Sequence, residues 1–215
     1  MTYLEAVNQV LRRLREDEVA NVSENEYSKL IGDFVNDAYG LCESAWEWSG
    51  LETDVIITTA DGVQAYELNN TGESVVVCDV YELTQPRMLE EVSSAYIRNA
   101  EALSAEGKGV PRYWTIDGLS ADREPMISFW PIPDGVYNVS VHVDKSGTIL
   151  TDGAHSFDIP VMPVVQMAFG LALRERGEAG GQTSQEQIVI AEQFLSDAIA
   201  RDAKRRPEKT VWRAV

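Results

Sequence analysis

The chain of 215 residues is long enough for one large domain or two small ones, and its 44% apolar and 25% charged residues are typical of globular proteins. Its net charge of −17 would repel nucleic acid phosphates, and no apolar run approaches the roughly 18 residues that span a bilayer. Because Glu5 comes early and no apolar segment follows it, we also expect no signal peptide.

Two amphipathic helices are predicted at the N-terminal end, because apolar residues recur there every three or four positions. The first covers roughly residues 3 to 16, and Thr2 with Glu5 has the spacing of a capping box at its start. The second runs from Ser23 to Gly50, and its first residue forms a second such box with Glu26. At 1.5 Å per residue this helix would be roughly 40 Å long, so its apolar face needs other helices packed against it.

Residues 51 to 158 are predicted to form an antiparallel β region, because β-branched residues and alternating polarity prevail there. Asp61 and Gly62 indicate a hairpin between the first two strands. The third strand is apolar enough to be covered on both faces, whereas the last one alternates and should bury a single face. We expect strands at 55–59, 63–68, 75–83, 112–116, 126–130 and 136–143, with a short helix within 89–103.

Two helices are predicted after the strands. One begins near Pro163, which suits the first turn, and the other begins at a capping box of Thr183 and Glu186 and ends before Pro207. The predicted fold class is therefore α+β. Its parts are a helical bundle of residues 1–50 and 159–206, an antiparallel β insert of residues 51–158 and a C-terminal tail of residues 207–215.

Residues with catalytic or ligand-binding chemistry are sparse. Cys42 and Cys78 are expected to be buried free thiols, with a disulfide as the alternative. His142 and His155 have no second histidine or cysteine at metal-ligand spacing, and no known nucleophile, phosphate-loop or metalloprotease motif occurs. We therefore expect no catalytic residue, no metal and no cofactor, and a binding or structural protein rather than an enzyme.

Positive charge is concentrated after residue 200, where six basic and two acidic residues give +4. Since the whole chain carries −17, the first 200 residues carry −21. Aromatic and arginine side chains often anchor interfaces, so this end is predicted to dock on a partner. A solvated terminus without fixed structure is the alternative. The predicted docking residues are Arg205, Arg206, Lys209, Trp212 and Arg213.

Short motifs follow one another in a recognisable order: the first helix with the sequence of residues 4–11, Trp46 to Trp48, Gly109 to Tyr113, Trp130 to Asp134, and the closing helices from Ile159 and Pro160. In this order they resemble the head-to-tail adaptor proteins of tailed bacteriophages, called tail tubular protein A in short-tailed phages. The resemblance covers nearly the whole chain, although each motif is short.

The resemblance implies a structural virion protein that forms a ring, usually of twelve copies, in the virion neck after assembly in the host cytoplasm. The implied partners are the portal protein, the tail nozzle or tail tube protein and tail fibres, while DNA passes through the ring without specific binding. The tail of this chain would then bind the portal. A ring needs two different contact faces, and we predict that Tyr39 and Trp48, apolar residues outside the main helical stripe, contribute to them.

Two other functions stay open. A small soluble enzyme or ligand-binding domain would use the acidic loops, and a pocket with strongly shifted pKa values would favour it. A nucleic-acid regulator would use Arg12, Arg13 and Arg15. The acidic body argues against this regulator, and salt-dependent DNA binding would reveal it.

Overall fold

The computed structural model describes residues 1–103, 107–145, 149–177 and 182–205, and the chain divides into two compact units. The helical unit comprises Met1–Gly50 and Gly147–Val215, and the β unit comprises Leu51–Ser146. Helices at both ends of the chain with strands between them make an α+β fold, which confirms the predicted class. The helices are α1 (Tyr3–Arg13), α2 (Glu26–Glu43), α3 (Ser94–Leu103), α4 (Val161–Glu175) and α5 (Gln182–Ala203), and α3 belongs to the β unit.

The helical unit is built around a core shared by α1, α2 and α4. Fully buried aliphatic residues on these three helices include Val7, Val10, Ile31, Val35, Val164 and Val165. The capping box predicted at the start of α1 is present, because Thr2 Oγ1 accepts from Glu5 N and Glu5 Oε2 accepts from Thr2 N. Local hydrogen bonding therefore determines where this helix begins.

Helix α2 is shorter than its sequence suggests. It has 18 residues and ends at Glu43, so its length is about 27 Å rather than 40 Å. Its capping box is formed by Asn25 and Ser28, so the predicted pair at Ser23 and Glu26 is wrong. Apolar residues continue past Glu43 because the chain turns there and the residues of the turn, such as the buried Trp48, pack against the helices.

The segment before α4 packs on the helical unit, although the sequence analysis grouped it with the strands. Asn36 donates to Leu150 O and accepts from Leu150 N, at 3.1 and 2.9 Å. The backbone N–H groups of Tyr3 and Leu4 donate to carbonyl oxygens of the same segment, at 2.8 and 3.0 Å. These contacts move the beginning of the second helical part from residue 159 to Gly147.

Helix α5 packs against α4. It begins at Gln182, so Thr183 lies inside the helix and the capping box predicted there is wrong. Ser184 Oγ donates to Gly170 O at 2.8 Å, and a Cβ added at Gly170 would lie 3.0 Å from Ile188 Cγ1. A glycine at this position thus lets the two helices approach closely.

The described residues of the β unit form two four-stranded sheets, with strand orders β1-β8-β3-β4 and β2-β7-β6-β5. Ten buried side chains from both sheets and their connections form one core, which includes Ile57, Val80, Trp114, Phe129 and Val141. Pairing is antiparallel except between β5 and β6. The strands are β1 (Glu52–Thr58), β2 (Ala65–Glu67), β3 (Val76–Glu82), β4 (Arg87–Met88), β5 (Glu90–Glu91), β6 (Tyr113–Leu119), β7 (Pro125–Trp130) and β8 (Asn138–Asp144).

Two strand predictions fail because strand partners are distant in sequence. Asp61 and Gly62 do not close a hairpin, since β1 pairs with β8 and β2 belongs to the other sheet. Strand β3 is covered on one face only, and Val76 is 61% exposed.

Cys78 is exposed because it lies at an irregularity in the pairing of β3 with β8, whereas Cys42 is buried as predicted. The alternation predicted for β8 is confirmed, because its three valines are fully buried.

His142 lies on the polar face of β8 between two acidic neighbours. Its Cα partners are Asp54 on β1 and Asp79 on β3, and His142 Nδ1 is 2.9 Å from Asp54 Oδ1. The hydrogen bond with Asp54 raises the pKa of His142, although partial burial opposes this. A protonated imidazole therefore favours the folded state.

Stability of the wild-type protein should fall more steeply between pH 6 and pH 8 than stability of the His142→Gln variant. The unfolded pKa is about 6.5 and the folded value is higher, so the contribution is complete below pH 6.5 and is lost as the pH rises through the folded pKa. Midpoints of thermal unfolding across this pH range measure the difference. His155→Gln, at the exposed second histidine, is the matched control and should keep the wild-type slope. Equal slopes for the wild type and His142→Gln would contradict the prediction.

Candidate docking surfaces

The predicted docking segment lies mostly outside the described residues. Arg206, Lys209, Trp212 and Arg213 are not among them, and Arg205 is the last residue of the described chain. Arg205 is exposed just beyond α5, and its Nη1 lies 3.9 Å from Asp202 Oδ1. The prediction that these five residues bind a partner stays a prediction.

Tyr39 and Trp48 are part of the helical core. Tyr39 is 4% exposed, and its ring packs edge-on against Phe157 with centroids 5.4 Å apart. Burial, with the charges of Asp158 and Glu43, raises the pKa of Tyr39 to about 12. Trp48 is 1% exposed and donates through Nε1 to Cys42 O at 2.9 Å. Both side chains, predicted to contact a neighbouring subunit from outside the main helical stripe, are instead buried within their own unit, so they leave no free surface for such a contact.

Asp202 is a buried acidic residue that the sequence analysis missed. It is 5% exposed and accepts from Trp46 Nε1 at 3.2 Å, from Ser49 N at 2.9 Å and from Ser49 Oγ at 2.5 Å. Burial opposes its ionisation, but the hydrogen bonds from Ser49 and Trp46 and the nearby Arg205 charge lower the pKa of Asp202 overall. This carboxylate holds the end of α5 against the turn that follows α2.

The spacing of residues along α5 is a sequence signal for this role. Asp202 follows the buried Ala191 by eleven positions and the partly buried Leu195 by seven, so it lies on the inner face of α5. An acidic residue on such a stripe needs hydrogen-bond donors, because a buried unpaired carboxylate is costly. The identity of those donors depends on residues more than 150 positions away.

The arginines of the N-terminal region contact their own unit. Arg12 pairs with Glu18 at 2.7 Å, and Arg13 donates to Gln166 Oε1 at 2.6 Å with its guanidinium 5.9 Å from the centre of the Phe169 ring. These two side chains are therefore engaged within the helical unit, which weakens the idea that they form a free basic stripe for nucleic acid.

Arg176 links the loop after α4 to the N-terminal helices. Its Nε donates to Tyr27 Oη at 2.8 Å, its guanidinium lies 5.2 Å from the centre of the Tyr27 ring, and Nη1 donates to Leu14 O at 3.3 Å. Its Nη2 forms an ion pair with Glu16. Four contacts from one guanidinium join α1, the start of α2 and the end of α4.

An apolar groove of about 410 Å³ lies between the N-terminal end of α4 and the C-terminal half of α5. Met162 and Phe194 line it from the two helices, and Met1 closes one side. These three side chains are 36%, 39% and 50% exposed. Arg205 also lines the groove, so the described chain ends beside it.

The chemistry for an enzyme site is sparse in the described part of the chain. No group of three or more His, Cys, Asp or Glu side chains is placed there to hold a metal ion. Burial raises the pKa of the Cys42 thiol to about 12, which disfavours the reactive thiolate. No helix among these residues has the length and apolar character needed to cross a membrane.

Comparison with known proteins agrees with the resemblance seen in the sequence. The family model described as SU10 adaptor protein matches residues 1–213, which include both units and almost the whole tail. A search of curated proteins finds no match to this chain. The resemblance to phage head-to-tail adaptors is thereby confirmed, and the chain belongs to the SU10 adaptor protein family.

Proposed function

We propose that this protein is a structural component of the phage virion neck, where it forms a ring of twelve copies between the portal and the tail nozzle or tail tube and leaves a passage for DNA during ejection. Membership of the SU10 adaptor protein family is the observation that carries the proposal. The match extends over both units, so it concerns the whole molecule and not a single motif. The protein acts by contact with its partners and not by catalysis.

The charge of the chain supports a role around a DNA channel. The net charge is −17, although the end of the chain after residue 200 carries +4. Acidic walls repel the phosphate backbone, so DNA would slide past the ring without being held. The basic end is suited to an acidic surface of the portal.

The ring requires two different contact faces on each copy, because a closed ring is built from head-to-tail interfaces. Tyr39 and Trp48 are buried, so other apolar residues of the helical unit must supply these faces. Leu41 on α2 and Val189 on α5 are 54% and 53% exposed, and Ile190 is 41% exposed. We assign these three residues to the contacts between neighbouring copies.

Removing the residues after Arg206 should abolish binding to the portal of the same phage while the helical and β units stay folded. The deletion removes Trp212 and two of the cations predicted to dock, and it leaves every described helix and strand in place. Electron microscopy of portal mixed with each form measures the effect as density below the portal.

Full-length protein should add a ring of density, and the truncated protein should add none. Circular dichroism of the truncated protein is the control for folding, and its spectrum should match the full-length spectrum. Normal binding by the truncated protein would show that the tail is not the portal-binding segment. Absence of density with the full-length protein would count against the adaptor function itself.

A further inference from the structure

We propose that the groove between α4 and α5 is the binding site of the chain's own C-terminal segment, residues 207–215, with the Trp212 side chain as its anchor. The inference concerns the isolated chain and goes beyond the proposed function, which describes the segment on the portal. In the free protein the segment would be held by its own helical unit. Binding to the portal would then require that it leave the groove.

The lining of the groove suits a large aromatic side chain. Phe194 and the small Ala198 line it from α5, and Met162 of α4 and Met1 also line it. Their exposure in a folded unit leaves an apolar surface that gains from being covered. Methionine side chains adapt to the shape of a partner and make favourable contacts with aromatic rings. Trp212 is the one aromatic residue in the segment 206–215.

The length of chain beyond Arg205 is sufficient to reach the groove. Phe194 and Arg205 are eleven residues apart along or just beyond α5, which corresponds to about 16 Å. The seven residues from Arg205 to Trp212 span up to about 23 Å when extended. Helix α5 ends at Ala203, so the chain beyond Arg205 is not bound to continue along the helix axis. A segment that runs back along α5 can therefore place Trp212 over Phe194.

Attachment favours the chain's own segment over other occupants, and one exposed carboxylate of the groove suits its basic side chains. The residues 206–215 contain three basic side chains and one acidic one, and Asp197 stands exposed at the edge of the groove. Arg201 and Arg205 also line the groove, but Arg205 is turned toward Asp202, which is 3.9 Å away. The segment is covalently attached at the end of the groove, so its effective concentration exceeds that of a segment from another molecule.

Fluorescence of Trp212 in the isolated protein tests the inference. The other tryptophans are buried or partly buried, with Trp48, Trp114 and Trp130 at 1%, 4% and 7% exposure. Subtracting the spectrum of a Trp212→Phe variant isolates the signal of Trp212. We expect this signal to be blue-shifted and to be quenched by acrylamide several-fold more slowly than free N-acetyltryptophanamide. Equally fast quenching would overturn the proposal.

A charge placed in the groove should release the segment. In Phe194→Lys the signal of Trp212, isolated with its own Trp212→Phe partner, should shift to the red and be quenched several-fold faster than in the wild type. Ser196→Lys is the matched control, because Ser196 is exposed on the same helix outside the groove, and it should keep the wild-type quenching rate. If Phe194→Lys fails to fold, the wild-type measurement still decides whether Trp212 is covered.

Protein concentration distinguishes the chain's own segment from that of a neighbouring copy. Slow quenching should persist unchanged on dilution of a species that has the mass of one chain. Protection that appears only together with a larger mass would assign the groove to a second copy and overturn the proposal. Because no portal is present, none of these results depends on whether the protein binds one.

Discussion

Replacing Asp202 with alanine is expected to lower the free energy of unfolding by about 2–4 kcal/mol. The carboxylate is 5% exposed and accepts three hydrogen bonds, so its removal leaves Trp46 Nε1, Ser49 N and Ser49 Oγ without their acceptor in a mostly buried place. The end of α5 would also lose its connection to the turn after α2. Urea unfolding followed by tryptophan fluorescence measures the loss, since Trp46 is one of the donors.

Asp197→Ala is the control for this variant. Asp197 lies on the same helix and is exposed, so its replacement should change the free energy of unfolding by less than about 0.5 kcal/mol. Asp202→Asn keeps one acceptor oxygen, so its loss in free energy of unfolding should lie between those of Asp202→Ala and Asp197→Ala. Similar values for Asp202→Ala and Asp197→Ala would show that the buried carboxylate does not stabilise the helical unit.

The pKa of Asp202 adds a pH dependence to the same prediction. Its folded value lies below the unfolded value of about 3.9, so the carboxylate stabilises the fold above that pH. The contribution is lost as the pH falls through the folded pKa. The difference in stability between the wild type and Asp202→Asn should therefore shrink in acid.

Trp48→Ala should lower the free energy of unfolding by about 3–5 kcal/mol, because it empties the space of a large, fully buried side chain. It also removes the donor to Cys42 O. The same urea experiment applies, followed by circular dichroism because a tryptophan is lost. Trp48→Phe should cost less, since it refills most of the space and loses mainly the hydrogen bond.

Leu41→Ala provides the comparison with an exposed apolar residue. Leu41 is on α2, only seven positions from Trp48, and is 54% exposed, so its replacement should change stability by less than about 0.5 kcal/mol. If Trp48 contacted a neighbouring subunit instead of the core, Trp48→Ala would not lower the free energy of unfolding as a core substitution does. Trp48→Ala would then leave unfolding of the single chain unchanged and weaken assembly alone.

Elements whose hydrogen bonds and packing are local could be predicted from the sequence. The start of α1 depends on Thr2 and Glu5, three residues apart, and both halves of their capping box are present. The alternation of polar and apolar residues in β8 predicts which of them face the core, because side chains on a strand point alternately to opposite faces. The order of helices, strands and helices follows from the same periodicities, and with it the α+β class.

The site residues were harder to predict, because their roles depend on burial. Tyr39 follows the buried Val35 by four positions and precedes the buried Cys42 by three, so α2 itself places it on the inner face, whereas Trp48 lies beyond the end of α2. The segment before α4 covers Tyr39 with Phe157, and the turn after Glu43 brings Trp48 back to Cys42. Neither contact can be read from the period of α2. The exposure of Arg205 could be predicted, because a basic side chain at the end of a helix is exposed without any distant partner.

The sequence by itself determined the local elements, the scarcity of catalytic chemistry and the separation of an acidic body from a basic end. Only the tertiary structure decided where α2 ends, which strand β1 pairs with and why an acidic residue lies on the inner face of α5. Each of these depends on partners far away in the chain, such as Ser49 for Asp202 or β8 for β1. Periodicity reports the face that a residue occupies in its own element, whereas the free energy of a buried turn, ladder or carboxylate depends on the groups that meet it there.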